Sequence, residues 1–184
     1  MNVCAGENFE DFLGMKECTL ALFEVTHSDC QAVEHFADAV LRDDFFFRKG
    51  HWLSLVADSR VQLFVVRVQQ QGQATWSEIM GVVVLYADSV LHNLFLARWC
   101  RGLGVGAAII NALAPDKIRA KADMSSGDPT GFYHRLGFTH EAAREGKRGQ
   151  IRVLTKLPTS TRASNLKRKK KDVLDPSEGA SDVS

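Results

Sequence analysis

A glycine-rich loop separates an apolar run from a helix-forming run in residues 91–113. The apolar run, LHNLFL, suits a buried strand, and the loop that follows reads Arg101-Gly102-Leu103-Gly104-Val105-Gly106. The first amide groups of a helix have no intrahelical partners, and the helix dipole adds positive charge there, so phosphate oxygens bind at such a position. Glycine lets the backbone approach the phosphate without a Cβ in the way. The segment therefore predicts a phosphate-binding site.

Two kinds of protein use a loop of this form: dinucleotide-binding proteins and proteins that bind acyl-coenzyme A. Gly102, Gly104 and Ala107 satisfy the pattern G-x-G-x-x-G/A of dinucleotide-binding proteins, and Asp123 follows at about the spacing that this pattern requires. A doubly wound dinucleotide fold continues with several more strand and helix alternations, and about half of the needed chain remains before the sequence turns polar. The loop alone leaves the two kinds of protein nearly even.

A second motif lies about thirty residues downstream of the loop. The run FYHRLGF, from Phe132 to Phe138, is similar to the signature Phe-Tyr-x-Lys-x-Gly-Phe. The loop itself, as Arg-x-x-Gly-x-Gly after an apolar strand, resembles the acyl-coenzyme A pyrophosphate loop. Both motifs, in this order, make the sequence resemble the GCN5-related N-acetyltransferase (GNAT) family.

The resemblance implies both a fold and an activity. The fold is α/β, with a single mixed, mostly antiparallel sheet flanked by helices, the acyl-CoA N-acyltransferase fold. The activity is transfer of an acetyl group from acetyl-CoA, bound as a co-substrate, to a primary amine. The acceptor is either a small molecule or a protein, and the fold does not decide which.

The resemblance also implies where acetyl-CoA binds. Its pyrophosphate would lie on the glycine loop, and its pantetheine arm would pair like a short extra strand with the run before that loop. The arm would occupy a V-shaped slot between this run and a strand at 118–124. The implied cofactor-binding residues are Leu94, Phe95, Leu96, Arg101, Gly102, Leu103, Gly104, Val105, Gly106, Ala107 and Ser126.

Two catalytic residues follow from the same resemblance. Tyr133 stands where the family keeps the tyrosine that protonates the departing thiolate, and a phenol with a reference pKa near 10 is protonated at neutral pH. His92 stands where many members carry a glutamate that acts as the general base, and histidine titrates near pH 6.5, which suits that task. The alternatives are a packed tyrosine at a helix start and a hydrogen-bonded core histidine.

Four residues near the motifs depart from the family pattern or invite another chemistry. Ser126 replaces the common asparagine, Pro129 stands at the usual alanine position, and Arg135 replaces lysine, keeping the charge with a different geometry. Cys100 adjoins the loop, and nothing nearby in the sequence marks it as an activated thiolate, so we interpret it as a turn cysteine.

Composition bounds the remaining possibilities. The 184 residues, 45% of them hydrophobic, suit one domain plus a tail, and the formal net charge is +1. The four cysteines show no metal-finger spacing, so no metal site is expected. No secretory leader and no apolar run of membrane-spanning length stands out, so we expect a soluble protein in the cytoplasm, or in the nucleus of a eukaryote.

Alternating and helical patterns predict the elements that position the motifs. Strands are expected at 19–25, 61–68, 79–87, 91–96, 118–124, 139–142 and 150–157, with 61–68 and 79–87 forming a hairpin. Ser28 and Gln31 have the form of a capping box before a first helix, further helices are expected at 104–113 and from Pro129, and Gly137 would end the last. The phenylalanines of segment 43–52 either line the acceptor cleft or fill the core.

The predicted acetyltransferase domain spans residues 1–157, and 158–184 form a disordered tail with almost no bulky apolar side chains. Five consecutive cations, beginning at Lys167 and ending at Lys171, could serve as a nuclear address or contact nucleic acid, or simply keep the terminus soluble. Two alternatives to the main hypothesis stay open. The chain could bind acyl-CoA without catalysis, or it could acetylate a nucleic acid or a protein bound to one.

Overall fold

The computed structural model describes residues 3–5, 18–41, 47–87, 89–122, 124–125, 127–146 and 149–156. The strands in these ranges are β1 Val3–Ala5, β2 Cys18–Glu24, β3 Val61–Gln70, β4 Gly81–Tyr86, β5 Val90–Leu96, β6 Lys117–Lys121, β7 Phe138–Gly146 and β8 Gly149–Lys156. They form one sheet in the order β1-β2-β3-β4-β5-β6-β8-β7. Each pair of neighbours is antiparallel except β5 and β6, which are parallel.

Helices cover both faces of this sheet, and the described ones are α1 Cys30–Leu41, α2 His51–Ala57, α3 Val105–Leu113 and α4 Thr130–Arg135. Buried Ile109 of α3 and Tyr133 of α4 share one core cluster. Val33 of α1 and Trp52 of α2 share a second. We call the two sides of the sheet the α3 face and the α1 face. The predicted mixed, mostly antiparallel sheet flanked by helices is confirmed.

Strand β4 shows why the sheet has a core on each side. Its residues Val82 and Val84 belong to the cluster on the α1 face, whereas Val83 and Leu85 belong to the cluster on the α3 face. Successive side chains of a strand point to opposite faces, so both sets are buried. A strand buried on both sides reads as a continuous apolar run, which is the character of GVVVLY.

The sheet splits between β5 and β6. These strands pair only at Val90 with Lys117 and at Leu91 with Ile118. Beyond that point β5 stays paired with β4, and β6 stays paired with β8. The two parallel strands therefore diverge and leave a gap between residues 92–96 and residues 119–121.

A β-bulge stands where the split begins. Val84 of β4 lies opposite Asn93, whereas the next residue, Leu85, lies opposite Leu91. His92 is thus the extra residue of β5. A bulge bends its strand and turns a side chain away from the regular alternation, and bulges are common beside active sites. The register shift directs His92 toward the root of the gap.

The structure confirms one local prediction and contradicts two. The hairpin is confirmed as β3 and β4, which pair from Val61 opposite Tyr86 to Val66 opposite Gly81. The doubly wound dinucleotide fold is wrong, because the sheet is antiparallel at every described pair but one. The capping box at Ser28 is also wrong. A short 3-10 turn at His27–Asp29 precedes α1, and the Thr26 amide donates to Asp29 Oδ2 at 2.8 Å.

Some expectations fall outside the described residues. These are the ones that concern Asp123, Ser126, residues 43–46 of the phenylalanine segment, residue 157, and the tail at 158–184 with its block from Lys167 to Lys171. Phe47 is described, and its ring packs 4.9 Å from Trp52 and 6.0 Å from Phe95, measured between ring centroids. At this residue the packing interpretation of the segment is supported.

Candidate active site

The gap between β5 and β6 opens into a cleft of about 800 Å³. It runs from the bulge, past the loop before α3, to the start of α4. Ten of the thirteen residues proposed from the sequence line it: His92, Leu94, Phe95, Leu96, Arg101, Gly102, Gly104, Gly106, Ala107 and Tyr133. The other three are Leu103, which is exposed, Val105, which is buried in the core, and Ser126, which lies outside the described residues.

The glycine loop that the sequence predicts as a phosphate site has a left-handed backbone at two positions. Gly102 has φ +79° and Gly104 has φ +85°, in the left-handed region that favours glycine. A Cβ built at Gly102 would meet nothing within 4 Å. Gly104 is also the N-cap of α3, so the amides of the first helical turn point toward this open space. An anion there would accept hydrogen bonds from the backbone and interact favourably with the helix dipole.

Gly106 has a different structural role from the other two glycines. A Cβ at this position would lie 3.1 Å from Cζ of Phe132 in α4 and 3.5 Å from Cδ1 of Leu96 in β5. The missing side chain therefore lets α3 approach both α4 and β5. This close approach forms the wall of the cleft below the loop.

Arg101 connects the loop to the strand. Its Nε donates a hydrogen bond to the carbonyl oxygen of Leu96 at 3.0 Å. The bond uses one of the five N–H donors of the guanidinium and holds the group at the mouth of the cleft. Its remaining donors can bind oxygen atoms of an anion in the loop.

The backbone of β5 offers hydrogen-bonding groups to the gap. In an antiparallel strand, successive residues direct their N–H and C=O groups to alternate sides. The Ala97 amide donates to Met80 O on the β4 side, at 2.9 Å. Leu96 and Leu94 therefore direct their backbone groups toward the gap, whereas Phe95 directs its own toward β4. The bond from Arg101 to the Leu96 carbonyl agrees with this alternation.

His92 has neighbours on the α1 face. Its ring stacks on Tyr86, with centroids 3.9 Å apart and planes inclined by 27°. Nη1 of Arg119, from β6, lies 3.3 Å from Nδ1 and 3.4 Å from Nε2 of the same ring. Arginine can only donate, so a ring nitrogen that accepts this hydrogen bond carries no proton itself. A neutral imidazole has one such nitrogen, and Nη1 lies almost equally far from both ring nitrogens, so His92 can act as a general base only when that nitrogen faces the amine and not Arg119.

Tyr133 lies on the α3 face, in α4. Its side chain is 8% exposed, and burial raises the pKa of its phenol to about 12. The phenol therefore stays protonated throughout the neutral pH range. Tyr133 also lines the cleft, so a protonated donor faces the gap from the side opposite His92.

Asp128 fixes the start of the helix that carries Tyr133. Its Oδ1 accepts hydrogen bonds from the backbone amide and the hydroxyl of Thr130. Its Oδ2 lies 3.4 Å from Nη2 of Arg152 in β8. The hydrogen bond from the Thr130 side chain is the main reason that the pKa of Asp128 is lowered. This anchor was not anticipated from the sequence, although an Asp just before Pro129 is a usual helix-start signal.

Cys100 has the environment of a structural thiol. It is fully buried, its Sγ donates to the Ala97 carbonyl at 3.1 Å, and burial raises the pKa of the thiol. A raised pKa disfavours the thiolate that covalent catalysis needs. This supports the interpretation of Cys100 as a turn cysteine.

The charges along the cleft are mostly positive. Among the described residues that line it, the cations are Arg101, Arg119, Lys121 and Arg135, and the carboxylate is Asp128. The whole chain carries a formal net charge of only +1. Positive charge is thus concentrated at the cleft, where it attracts anionic ligands.

The described part of the chain lacks two other kinds of feature. His, Cys, Asp and Glu side chains do not gather there in threes or more as a metal ion would need. None of the helices there has both the length and the apolar character that a membrane crossing requires.

Comparison with known proteins identifies similar structures but no similar sequence. No protein-family model matches the chain, and no curated protein matches it either. A domain from Methanocaldococcus jannaschii DSM 2661 is similar with a TM-score of 0.54 and 9% identity, covering 77% of this chain and 100% of that one. An identity this low shows a shared fold alone.

Two further solved structures are similar at lower scores. One is a GCN5-related N-acetyltransferase from Rhodopseudomonas palustris, with a TM-score of 0.47, 16% identity and coverage of 73% of this chain and 93% of that one. The other is an aminoglycoside acetyltransferase from an uncultured soil metagenomic sample, with a TM-score of 0.37, 14% identity and coverage of 90% and 95%.

The GNAT-like character of the fold rests on the chain's own geometry. It consists of the parallel β5 and β6 that diverge after two residue pairs and the glycine loop that leads into α3, both of which the resemblance implies. The described sheet and loop therefore have the fold that the sequence resemblance to the GNAT family implies.

Proposed function

We propose that this protein is an N-acetyltransferase that moves an acetyl group from acetyl-CoA to a primary amine. The observation that carries the proposal is a single cleft lined by a glycine loop at the start of α3 and by a buried, protonated phenol. The loop accounts for a nucleotide-bearing donor, and the phenol accounts for a leaving group that needs a proton.

The donor would bind on the α3 side of the gap. Its pyrophosphate would accept hydrogen bonds from the loop amides and from Arg101. Its pantetheine arm would pair with the backbone groups that Leu94 and Leu96 direct into the gap, as an additional short strand does. This places the thioester near the root of the split, between Tyr133 and His92.

The chemistry needs two proton movements. The amine nitrogen attacks the thioester carbonyl and forms the new C–N bond, while the C–S bond breaks and its electron pair stays on sulfur. His92 takes a proton from the amine as a general base, and Tyr133 gives its proton to the departing sulfur. The phenol, with a pKa above that of a thiol, then recovers a proton from solvent. Amides of β5 that face the gap would stabilise the negative charge that develops on the carbonyl oxygen.

Replacing His92 by alanine tests its role as the base. We expect kcat/KM to fall about 10- to 100-fold near pH 7, and the loss to shrink toward alkaline pH, where more of the amine is already deprotonated. Steady-state rates from pH 6 to 10 measure this. His27→Ala, at an exposed position in the 3-10 turn, is the matched control and should leave the profile unchanged. An unaltered pH–rate profile in the His92 variant would remove this residue from the mechanism.

The activity itself is tested by following free thiol as the protein is mixed with acetyl-CoA and a panel of amines. The panel should contain small amines, polyamines, amino acids and lysine-containing peptides. Amine-dependent thiol release supports the proposal. Binding of acetyl-CoA without thiol release for any amine favours the alternative of an acyl-CoA-binding module without catalysis.

Binding to nucleic acid stays a separate prediction, since the cations from Lys167 to Lys171 lie outside the described residues. If that block binds phosphate backbones, affinity falls steeply with salt and disappears when residues 158–184 are deleted. An affinity for nucleic acid that does not depend on salt concentration would contradict this role of the block.

A further inference from the structure

Positive charge also lies on the α1 face of the gap, which is opposite to the face of the proposed phosphate loop. Ile118 and Ala120 of β6 are buried in the core of the α3 face. Side chains alternate along a strand, so Arg119 and Lys121 lie on the α1 face. Both line the cleft.

Arg119 is placed next to the reacting centre on that face. Its Nη1 lies 3.3 Å from Nδ1 of His92, and the His92 ring stacks on Tyr86, which packs against the core of the α1 face. The proposed phosphate loop precedes α3 and belongs to the opposite face. Arg119 is therefore positioned for the acceptor, which approaches His92, and not for the donor's pyrophosphate.

Carboxylates are scarce where the acceptor would bind. Among the described residues that line the cleft, Asp128 is the one acidic side chain. It accepts a hydrogen bond from the Thr130 amide at the start of α4 and lies 3.4 Å from Arg152, so its charge is already engaged. An acceptor with several positive charges would meet cations here without a carboxylate to offset them, which is unfavourable.

We propose that the acceptor is an amine that also carries an oxyanion, a carboxylate or a phosphate, and that Arg119 binds this group. The proposal rests on the acetyltransferase function proposed above. The contact to His92 is made by Nη1, so the guanidinium has other N–H groups to donate to the oxyanion. Holding the oxyanion there places the amine beside the imidazole that takes its proton.

Four small primary amines of similar length test the charge of the acceptor. β-Alanine carries a carboxylate, phosphoethanolamine a phosphate, n-propylamine no second charge, and putrescine a second cation. With the protein saturated in acetyl-CoA, thiol release should be at least about tenfold faster with one of the two anionic amines than with n-propylamine, and slowest with putrescine. The faster of the two anionic amines identifies the kind of oxyanion.

Substitutions in β6 test whether Arg119 binds the oxyanion of the acceptor. Arg119→Ala should reduce the anionic-to-neutral preference about tenfold, Arg119→Lys should retain part of it, and Arg119→Glu should shift preference toward putrescine. Lys117→Ala is the matched control, because Lys117 is exposed on the same strand and face but does not line the cleft. Its preference should equal that of the wild type.

The outcomes separate this inference from the function on which it rests. Equal rates for all four amines, a preference for putrescine, or the same proportional loss for every amine in Arg119→Ala would overturn the anionic acceptor and leave the acetyltransferase intact. The proportional loss would mean that Arg119 only positions His92. Binding of acetyl-CoA with no thiol release from these amines or from the wider panel would overturn the proposed function itself.

Discussion

Replacing Tyr133 by phenylalanine is expected to lower kcat by about 100- to 1,000-fold, the range typical of a lost general acid. The KM for acetyl-CoA should change little, because the phenol acts on the sulfur as it departs and not on the bound donor. Steady-state kinetics with acetyl-CoA and the best amine of the panel measure both constants. An unchanged kcat would show that Tyr133 is a packing residue.

The substitution removes one oxygen atom and keeps the ring in the core. Folding should therefore be preserved at neutral pH, and a thermal melt checks this. Burial raises the pKa of Tyr133 from 10 to about 12, so the folded state favours the neutral phenol. The wild type keeps the resulting stability below about pH 10 and loses about 2 to 3 kcal/mol of it as the pH rises toward 12. Tyr133→Phe should lack this particular loss, and identical alkaline unfolding curves would contradict the burial of the phenol.

Replacing Gly104 by alanine is expected to weaken CoA binding by about tenfold or more. An L-residue at φ +85° is strained by about 1 to 2 kcal/mol, so the loop would relax away from the shape that presents its amides. Calorimetric titration of CoA into both proteins measures the change in affinity.

Gly72 supplies a matched control for the strain at Gly104. It has φ +84°, nothing within 4 Å of a built Cβ, and a place in the turn after β3, away from the cleft. Gly72→Ala and Gly104→Ala should lose similar stability, yet only the second should lose CoA affinity. Equal affinities in the two variants would show that the loop does not bind the donor. Acetyl-pantetheine, which lacks the pyrophosphate, should bind both variants alike.

Local sequence signals predicted the parts of the site that depend on local backbone preferences. Glycines at 102 and 104 predicted a loop between the strand and the helix, and the structure has this loop, with positive φ at both glycines. Gly137, with φ +87°, follows α4, as glycine does just past a helix. The strands β3, β4 and β5 could be predicted because each has several buried residues, which appear in the sequence as an apolar run.

The remaining parts of the site depend on long-range pairing, which one sequence does not display. The bulge at His92 is a mismatch between β4 and β5, so neither strand reveals it alone. Alternation along β6 puts the side chains of Arg119 and Ile118 on opposite faces of the sheet. The contact between Arg119 and His92 depends in addition on how the parallel strands β5 and β6 diverge. The start of α1 was missed because Thr26 with Asp29 and Ser28 with Gln31 offer the same three-residue spacing. Helix α2 was missed because its short run gives a weak periodic signal.

A crystal structure of the protein with CoA tests the central claim most directly. The pyrophosphate oxygens should lie within hydrogen-bonding distance of the amides of the loop and the first turn of α3. The CoA sulfur should lie about 3.5 Å or less from Oη of Tyr133, in the gap between β5 and β6. A CoA molecule bound elsewhere, or a sulfur atom that lies far from Tyr133 while the loop holds no phosphate, would contradict this account.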